Sequence, residues 1–331
     1  MKGVKRTVVG VWALSWSPAI GPRKPYERGL EELEKAGLPA VWAPAALRAF
    51  TERDRGAFDS LPLSDKVADW AWLRQSGYKV ILSAIGGENS YQLLDQIDWQ
   101  KAAADRVVLV GHSDFTALGN AYHALAGGLA WYGPNLRNLG DVGTGRMSAA
   151  NLTRALSQEK TVWKSQPVYK DSFKTPLKKG AGWCVIRPGQ ASGVGIGGNL
   201  GTFFLLQGTP YMPQFTQPTI LFLEEDDLPG KYAIREFDRK LRSILDQPGA
   251  KQWVRGLIIG RFLDGSKTTR RMIEQVIDAM PFWNDKPVLA NVEIGHGMPR
   301  IVLPIGGQID LLADSREIVV YNQEQRNETW L

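Results

Sequence analysis

The sequence predicts an α/β protein: a Rossmann-like N-terminal domain with a mostly parallel sheet, followed by a smaller, β-rich α/β domain. Three observations carry this. Short runs of branched aliphatics, such as 78–85 and 107–110, read as strands buried on both faces. Helical stripes alternate with these runs at short spacing, the pattern of a parallel sheet covered by helices. At 331 residues the chain is long for one domain, and two are expected.

The elements follow in order. A first strand falls over 5–14, and a loop with Ser, Pro and Gly spans 15–22. A helix opens near Pro25, where proline is tolerated in the first turn, and stops at Gly37. A strand at 38–42 and helices at 45–57 and 64–75 come next. The strand at 78–85 runs into Gly86-Gly87, where backbone can approach a ligand closely, and a partly helical segment, 88–98, follows. The strand ending at Val110 turns sharply at Gly111-His112-Ser113-Asp114 into a helix with Leu118, Tyr122 and Leu125 on one stripe. Gly127-Gly128 ends it, and a strand at 129–132 closes the series.

The first domain is expected over 1–150. A connector, 151–181, collects Lys, Ser, Thr and Pro, and its Trp163, Tyr169 and Phe173 either dock it on the body or stack on a ligand. The second domain, 182–331, should carry strands near 183–186, 218–223, 253–262, 287–294, 300–304 and 318–321. Its amphipathic helix, 232–245, lines up Ile234, Phe237, Leu241 and Leu245. The glycine-rich run 193–198 resembles a phosphate cradle. Its spacing is not Gly-x-Gly-x-x-Gly, however, and no Lys-Ser/Thr follows.

Composition narrows the function. The single cysteine, Cys184, excludes an internal disulfide and fits a reducing compartment. With three histidines besides, no multi-ligand Cys/His metal site and no cofactor are expected. The net charge of +6 is spread without a basic stripe, so no nucleic-acid partner is expected. Lys2, Lys5 and Arg6 ahead of an apolar run mimic a leader, but Pro18 follows and no small-residue cleavage pattern does. No apolar stretch is long enough for a membrane span, so a cytoplasmic location without a membrane partner is expected.

Ser113 stands where a strand hands over to a helix. It reads either as a helix N-cap or as the nucleophile of a strand–turn–helix elbow, facing backbone N–H groups. Such a serine needs a base, and the base needs an acid. His112 is adjacent to Ser113, and neighbours across a tight turn tend to point apart. His123 lies ten residues on, about 15 Å along a helix axis. His296 sits between Gly295 and Gly297 at a strand end, free to project. The acidic run 224–227 also closes a strand, as a solvated loop or as the source of the acid. The order Ser…Glu…His is that of the α/β-hydrolases.

Taken together, Ala84-Ile-Gly-Gly-Glu-Asn-Ser90, Gly111-His-Ser-Asp-Phe-Thr-Ala-Leu118, Tyr132-Gly-Pro134, Gly197-Gly-Asn-Leu200, Gly208-Thr-Pro-Tyr211, Ile220-Leu-Phe-Leu-Glu224, Gly295-His296 and Leu303-Pro-Ile-Gly306 resemble the LD-carboxypeptidase family of serine peptidases, most of all its microcin C self-immunity branch. The matches run in order over about residues 8 to 310. The resemblance implies Ser113 as nucleophile, His296 as base and Glu224, rather than Glu225, as the acid. It implies an oxyanion hole from the backbone N–H groups of Gly87 and Asp114, and a homodimer. His112 departs from the family, where many members carry Tyr. Expected substrates are a small peptidyl or aminoacyl amide such as a microcin C-like aminoacyl-nucleotide, with Trp163 as a stacking contact. A muramoyl-tetrapeptide cleaved between L- and D-residues in peptidoglycan recycling is the alternative. A non-catalytic or nucleotide-binding protein on the same scaffold is the other rival.

Overall fold

The computed structural model of the chain describes residues 7–225 and 228–322. The basic cluster Lys2, Lys5 and Arg6, the start of the first expected strand, and Asp226 and Asp227 of the acidic run lie outside the described residues.

Two sheets share one hydrophobic core. The first has six strands, in the order Leu303–Ile305, Ala130–Tyr132, Val108–Gly111, Val80–Ser83, Val9–Trp12 and Ala40–Trp42. Five run parallel; Leu303–Ile305 pairs antiparallel with Ala130–Tyr132 at the edge. The inner strands Val9–Trp12 and Val80–Ser83 are buried at every position, as continuous aliphatic runs require of a sheet covered on both faces. Helices Lys24–Lys35, Pro44–Glu52, Leu63–Gln75 and Phe115–Ala126 form in the expected segments, the second ending at Glu52 rather than 57 because Arg53 turns left-handed.

The second sheet has eight strands, in the order Lys160–Trp163, Glu317–Tyr321, Gln308–Leu312, Gln190–Asn199, Thr219–Glu224, Val254–Gly260, Val288–Val292 and Cys184–Arg187. The four strands from Gln190–Asn199 to Val288–Val292 are parallel and the rest antiparallel. Helix Tyr232–Leu245 buries Ile234, Phe237, Leu241 and Leu245. Two strand pairings cross the sequence boundaries expected near 150 and 182. Lys160–Trp163 of the connector joins the second sheet, and Leu303–Ile305 of the C-terminal half joins the first.

The glycine-rich run is not a phosphate loop. Residues 193–198 lie inside the strand Gln190–Asn199, at the centre of the second sheet. The glycines are needed because backbone crowds them: a Cβ on Gly195 would sit 2.2 Å from Pro304 O, and one on Gly197 would sit 1.9 Å from Phe222 O. Close backbone approach, not anion binding, explains the composition.

Helix Phe115–Ala126 ties the two sheets together. Asn120 Nδ2 donates to Gly197 O at 2.8 Å, and the Asn199 N–H donates to Thr116 Oγ1 at 2.8 Å. The strand bearing Ser113 and the strand bearing Glu224 are thereby held in one frame. Among the described residues no helix is long and apolar enough to cross a membrane.

Candidate active site

Ser113 follows the buried strand Val108–Gly111 and has φ +64°, a left-handed conformation that is costly for a residue with a Cβ. The strain is held in place by several contacts. The Ser113 N–H donates to Tyr132 Oη at 3.1 Å, the His112 N–H donates to Asn135 Oδ1 at 2.9 Å, and Gly111 packs under the Phe115 ring so closely that a Cβ would clash at 2.5 Å. The turn lifts the serine hydroxyl into an open cleft of about 820 Å³ that also takes in Gly86, Gly87, His112, Asp114 and His296.

His296 Nε2 lies 3.1 Å from Ser113 Oγ, and its Nδ1 lies 2.9 Å from Glu224 Oε2. Three residues spread over 183 positions thus form one hydrogen-bonded series. Glu224 ends the strand Thr219–Glu224 with its carboxylate buried. Its Oε1 accepts from Tyr132 Oη at 2.6 Å and from Asn199 Nδ2 at 3.3 Å, so the acid is fixed from both sides. Gly260 makes room for it, since a Cβ there would meet Glu224 Cβ at 2.4 Å. The neighbouring Glu225 faces Lys240 Nζ instead, at 3.4 Å. Arg300, fully buried, donates from Nε to Gly295 O and from Nη2 to His296 O, both at 3.0 Å, and so holds the backbone that carries the imidazole. Burial pulls the guanidinium down to about 10, against the pull of the nearby Glu224 carboxylate.

Gly87 has φ +146°, and a Cβ there would stand 2.5 Å from both Ser15 Oγ and Trp16 Cδ1. Among the described residues neither the Gly87 N–H nor the Asp114 N–H is committed to an acceptor. The Asp114 carboxylate braces this corner: its Oδ2 accepts from Ser15 Oγ at 2.5 Å and from the Ser90 N–H at 2.8 Å, and Ser90 Oγ donates to Asp114 O at 2.7 Å. Behind it lies Lys66, fully buried, with no hydrogen-bond partner on Nζ. Burial lowers its ammonium to about 8, partly offset by the charge of Asp114.

Trp163 is not in the cleft, which corrects its expected role as a stacking contact. The edge strand Lys160–Trp163 alternates exposed and buried, and Trp163 takes an inward position. Its ring is 1% exposed, and Nε1 donates to Val302 O at 2.9 Å. The connector reaches the cleft ten residues later. Lys170 exchanges two backbone hydrogen bonds of 2.8 Å with Met298, and its Nζ pairs with buried Asp141 at 3.0 Å. That anchorage sets Asp171, Ser172 and Phe173 on the cleft wall, with the Arg137 guanidinium 4.8 Å from the Phe173 ring centre.

Sequence reasoning did not single out Tyr132, Lys66 or Arg300 for these places, whereas Phe173 was among the connector aromatics expected either to dock or to stack on a ligand. Lys66 had a usable signal: it shares the buried helix face with Trp70 and Leu73, at spacings of four and seven.

A hydroxyl, an imidazole and a carboxylate in series at the ends of strands, beside free backbone N–H groups, is the arrangement that hydrolases of the α/β type use. The chain belongs to the LD-carboxypeptidase family: residues 9–133 match the family's N-terminal domain and residues 192–311 its C-terminal domain. The chain is 34% identical over 276 residues to a putative carboxypeptidase of Treponema pallidum, covering 81% of this chain and 80% of that protein. It is 25% identical to the microcin C7 self-immunity protein MccF of Escherichia coli, over 95% and 93% of the two chains. The crystal structure of an MccF-like protein from Bacillus anthracis superposes with a TM-score of 0.89 at 28% identity, covering 97% of this chain and 98% of that one. MccF itself, solved in complex with aspartyl sulfamoyl adenosine, shares the fold with a TM-score of 0.81 at 22% identity and 97% coverage of both chains. By family, the protein is a hydrolase of the carboxypeptidase kind.

Proposed function

We propose that the protein is a serine peptidase or amidase that hydrolyses a small peptidyl or aminoacyl amide through Ser113, His296 and Glu224. The single observation that carries this reading is the unbroken Ser113–His296–Glu224 hydrogen-bond series opening on the cleft. Ser113 Oγ attacks the amide carbonyl while His296 Nε2 takes its proton. Glu224 holds the Nδ1 proton and so keeps Nε2 free to accept. The N–H groups of Gly87 and Asp114 receive the oxyanion, at a few kcal/mol each. His296 then protonates the departing amine, and water releases the acyl group by the same steps.

The cleft walls favour a substrate that carries an anionic group and a flat ring. Arg137 and Arg300 both line the cleft, and Phe173 offers it an aromatic face. An aminoacyl-nucleotide of the kind bound by MccF combines these features. A muropeptide has the carboxylate but only a puckered sugar ring, not a flat aromatic one, to set against Phe173. The reading includes a cytoplasmic setting, which the lone Cys184 supports, and a homodimer, as the family resemblance implies.

The test compares hydrolysis of an aminoacyl sulfamoyl-adenosine with that of a muramoyl-tetrapeptide, by the native protein and by Ser113→Ala. The native protein should prefer the nucleotide-like amide and the variant should turn over neither. Undiminished turnover by Ser113→Ala rejects the mechanism; preference for the muropeptide rejects the substrate.

A further inference from the structure

Beside the Ser113–His296–Glu224 series stands an imidazole that the proposed hydrolysis does not use. His112 is 2% exposed and packs edge-on against His296, ring centres 4.7 Å apart. Its Nε2 is buried and has no hydrogen-bond partner. In the tautomer with the ring proton on Nδ1, Nε2 presents a lone pair. That lone pair faces Glu224 Oε1 at 3.8 Å. An imidazole lone pair facing a buried carboxylate oxygen is unfavourable until a cation stands between them.

Ligand atoms of His112, Glu224 and His296 all lie within 4.8 Å of one another. In a tetrahedral Zn²⁺ site, with bonds of about 2.0–2.2 Å, ligand atoms stand about 3.4 Å apart. The wider separations must shorten on binding, and His296, the most exposed of the three at 26%, faces the cleft from which an ion would enter. The cleft supplies the entry path and a water for the fourth position, since both His112 and His296 line it. Although composition offered only one cysteine and three histidines, the fold brings two of the histidines together with a glutamate.

We propose that His112, Glu224 and His296 form a binding site for one divalent transition-metal ion such as Zn²⁺, and that occupation of this site switches hydrolysis off. Binding at His296 Nδ1 moves the ring proton to Nε2, with no net proton release. Nε2 then donates to Ser113 Oγ and can no longer accept its proton, and Glu224 is spent on the metal. The site itself stands on geometry alone; the inhibition rests on the proposed role of His296 as base.

The experiment uses the untagged full chain and Co²⁺ as a spectroscopic stand-in for Zn²⁺. One equivalent should give the visible d–d bands of a tetrahedral nitrogen and oxygen site, and Zn²⁺ should displace them. His112→Phe should weaken binding by roughly 100-fold or more. Glu224→Gln should do the same and decides the matter if His112→Phe does not fold. Absence of the bands, or equal binding by the native protein and both variants, overturns the site. In the activity arm Zn²⁺ should abolish turnover and a chelator restore it. Variant-sensitive binding that leaves turnover untouched overturns the inhibition and counts against His296 as the base, not against the site.

Discussion

Replacing Lys66 by methionine should raise stability at neutral pH and flatten its pH dependence. The lysine is fully buried, makes no hydrogen bond through Nζ, and has its ammonium lowered from 10.5 to about 8. Below about pH 8 both folded and unfolded chains hold the proton, and the folded state bears the full burial penalty. Between about 8 and 10.5 the unfolded chain keeps a proton that the folded chain has lost, so stability rises with pH there. At about 1.4 kcal/mol per tenfold in acidity, the penalty at pH 7 is roughly 3 kcal/mol, with the attraction of Asp114 already included. Methionine fills similar volume without charge. Urea unfolding of both proteins at several pH values should show the variant ahead by up to that amount at pH 7, with the gap closing above pH 8. A variant less stable at pH 7, or a gap that ignores pH, refutes the reasoning. The same change should lower kcat, because Asp114 loses its counter-charge while holding Ser15 and Ser90 around the oxyanion corner.

Other substitutions separate the parts of the site. Gly87→Ala places a Cβ 2.5 Å from Ser15 Oγ and Trp16 Cδ1 at a φ that only glycine takes cheaply, and should cost about 10²–10³ in kcat by displacing one oxyanion donor. Steady-state rates within threefold of native would contradict that. Tyr132→Phe strips one partner each from the Ser113 N–H and Glu224 Oε1, and should cost about 1–3 kcal/mol, read as a fall in kcat and in the thermal midpoint. Phe173→Ala should raise KM several-fold with the fold unchanged, whereas Trp163→Phe should lower stability and leave KM alone, because Trp163 bonds to Val302 O outside the cleft. The reverse pattern in substrate titrations would return the stacking role to Trp163.

Much of this site was legible in the chain because local physics writes local signals. Aliphatic runs ending in glycine marked the strand ends at Gly86 and Gly111, and a His between two glycines marked a projecting side chain at 296. Helix 232–245 matched its apolar stripe to the residue. Failures came where tertiary packing overrides local pattern. Glycines 193–198 read as a loop because the sequence cannot show that Pro304 O and Phe222 O press on that strand. Docking and ligand stacking stayed open for Trp163 because its polar neighbours hide the inward alternation of an edge strand. The strand Gln308–Leu312, five residues long, and the helix Arg270–Asp278, nine residues with only Ile273 and Ile277 buried, are too short to stand out despite their regular alternation. His112 read as pointing away from its neighbour Ser113; the left-handed turn at Ser113 instead lets both face the cleft.

The most direct measurement is covalent labelling. A serine-reactive fluorophosphonate, followed by peptide mass mapping, should place one adduct per chain on Ser113. His296→Gln should slow that labelling sharply, and an aminoacyl sulfamoyl-adenosine should protect against it. Adduct on another residue, or full hydrolytic activity from a chain whose Ser113 is completely modified, would contradict the assignment of Ser113 as the attacking group.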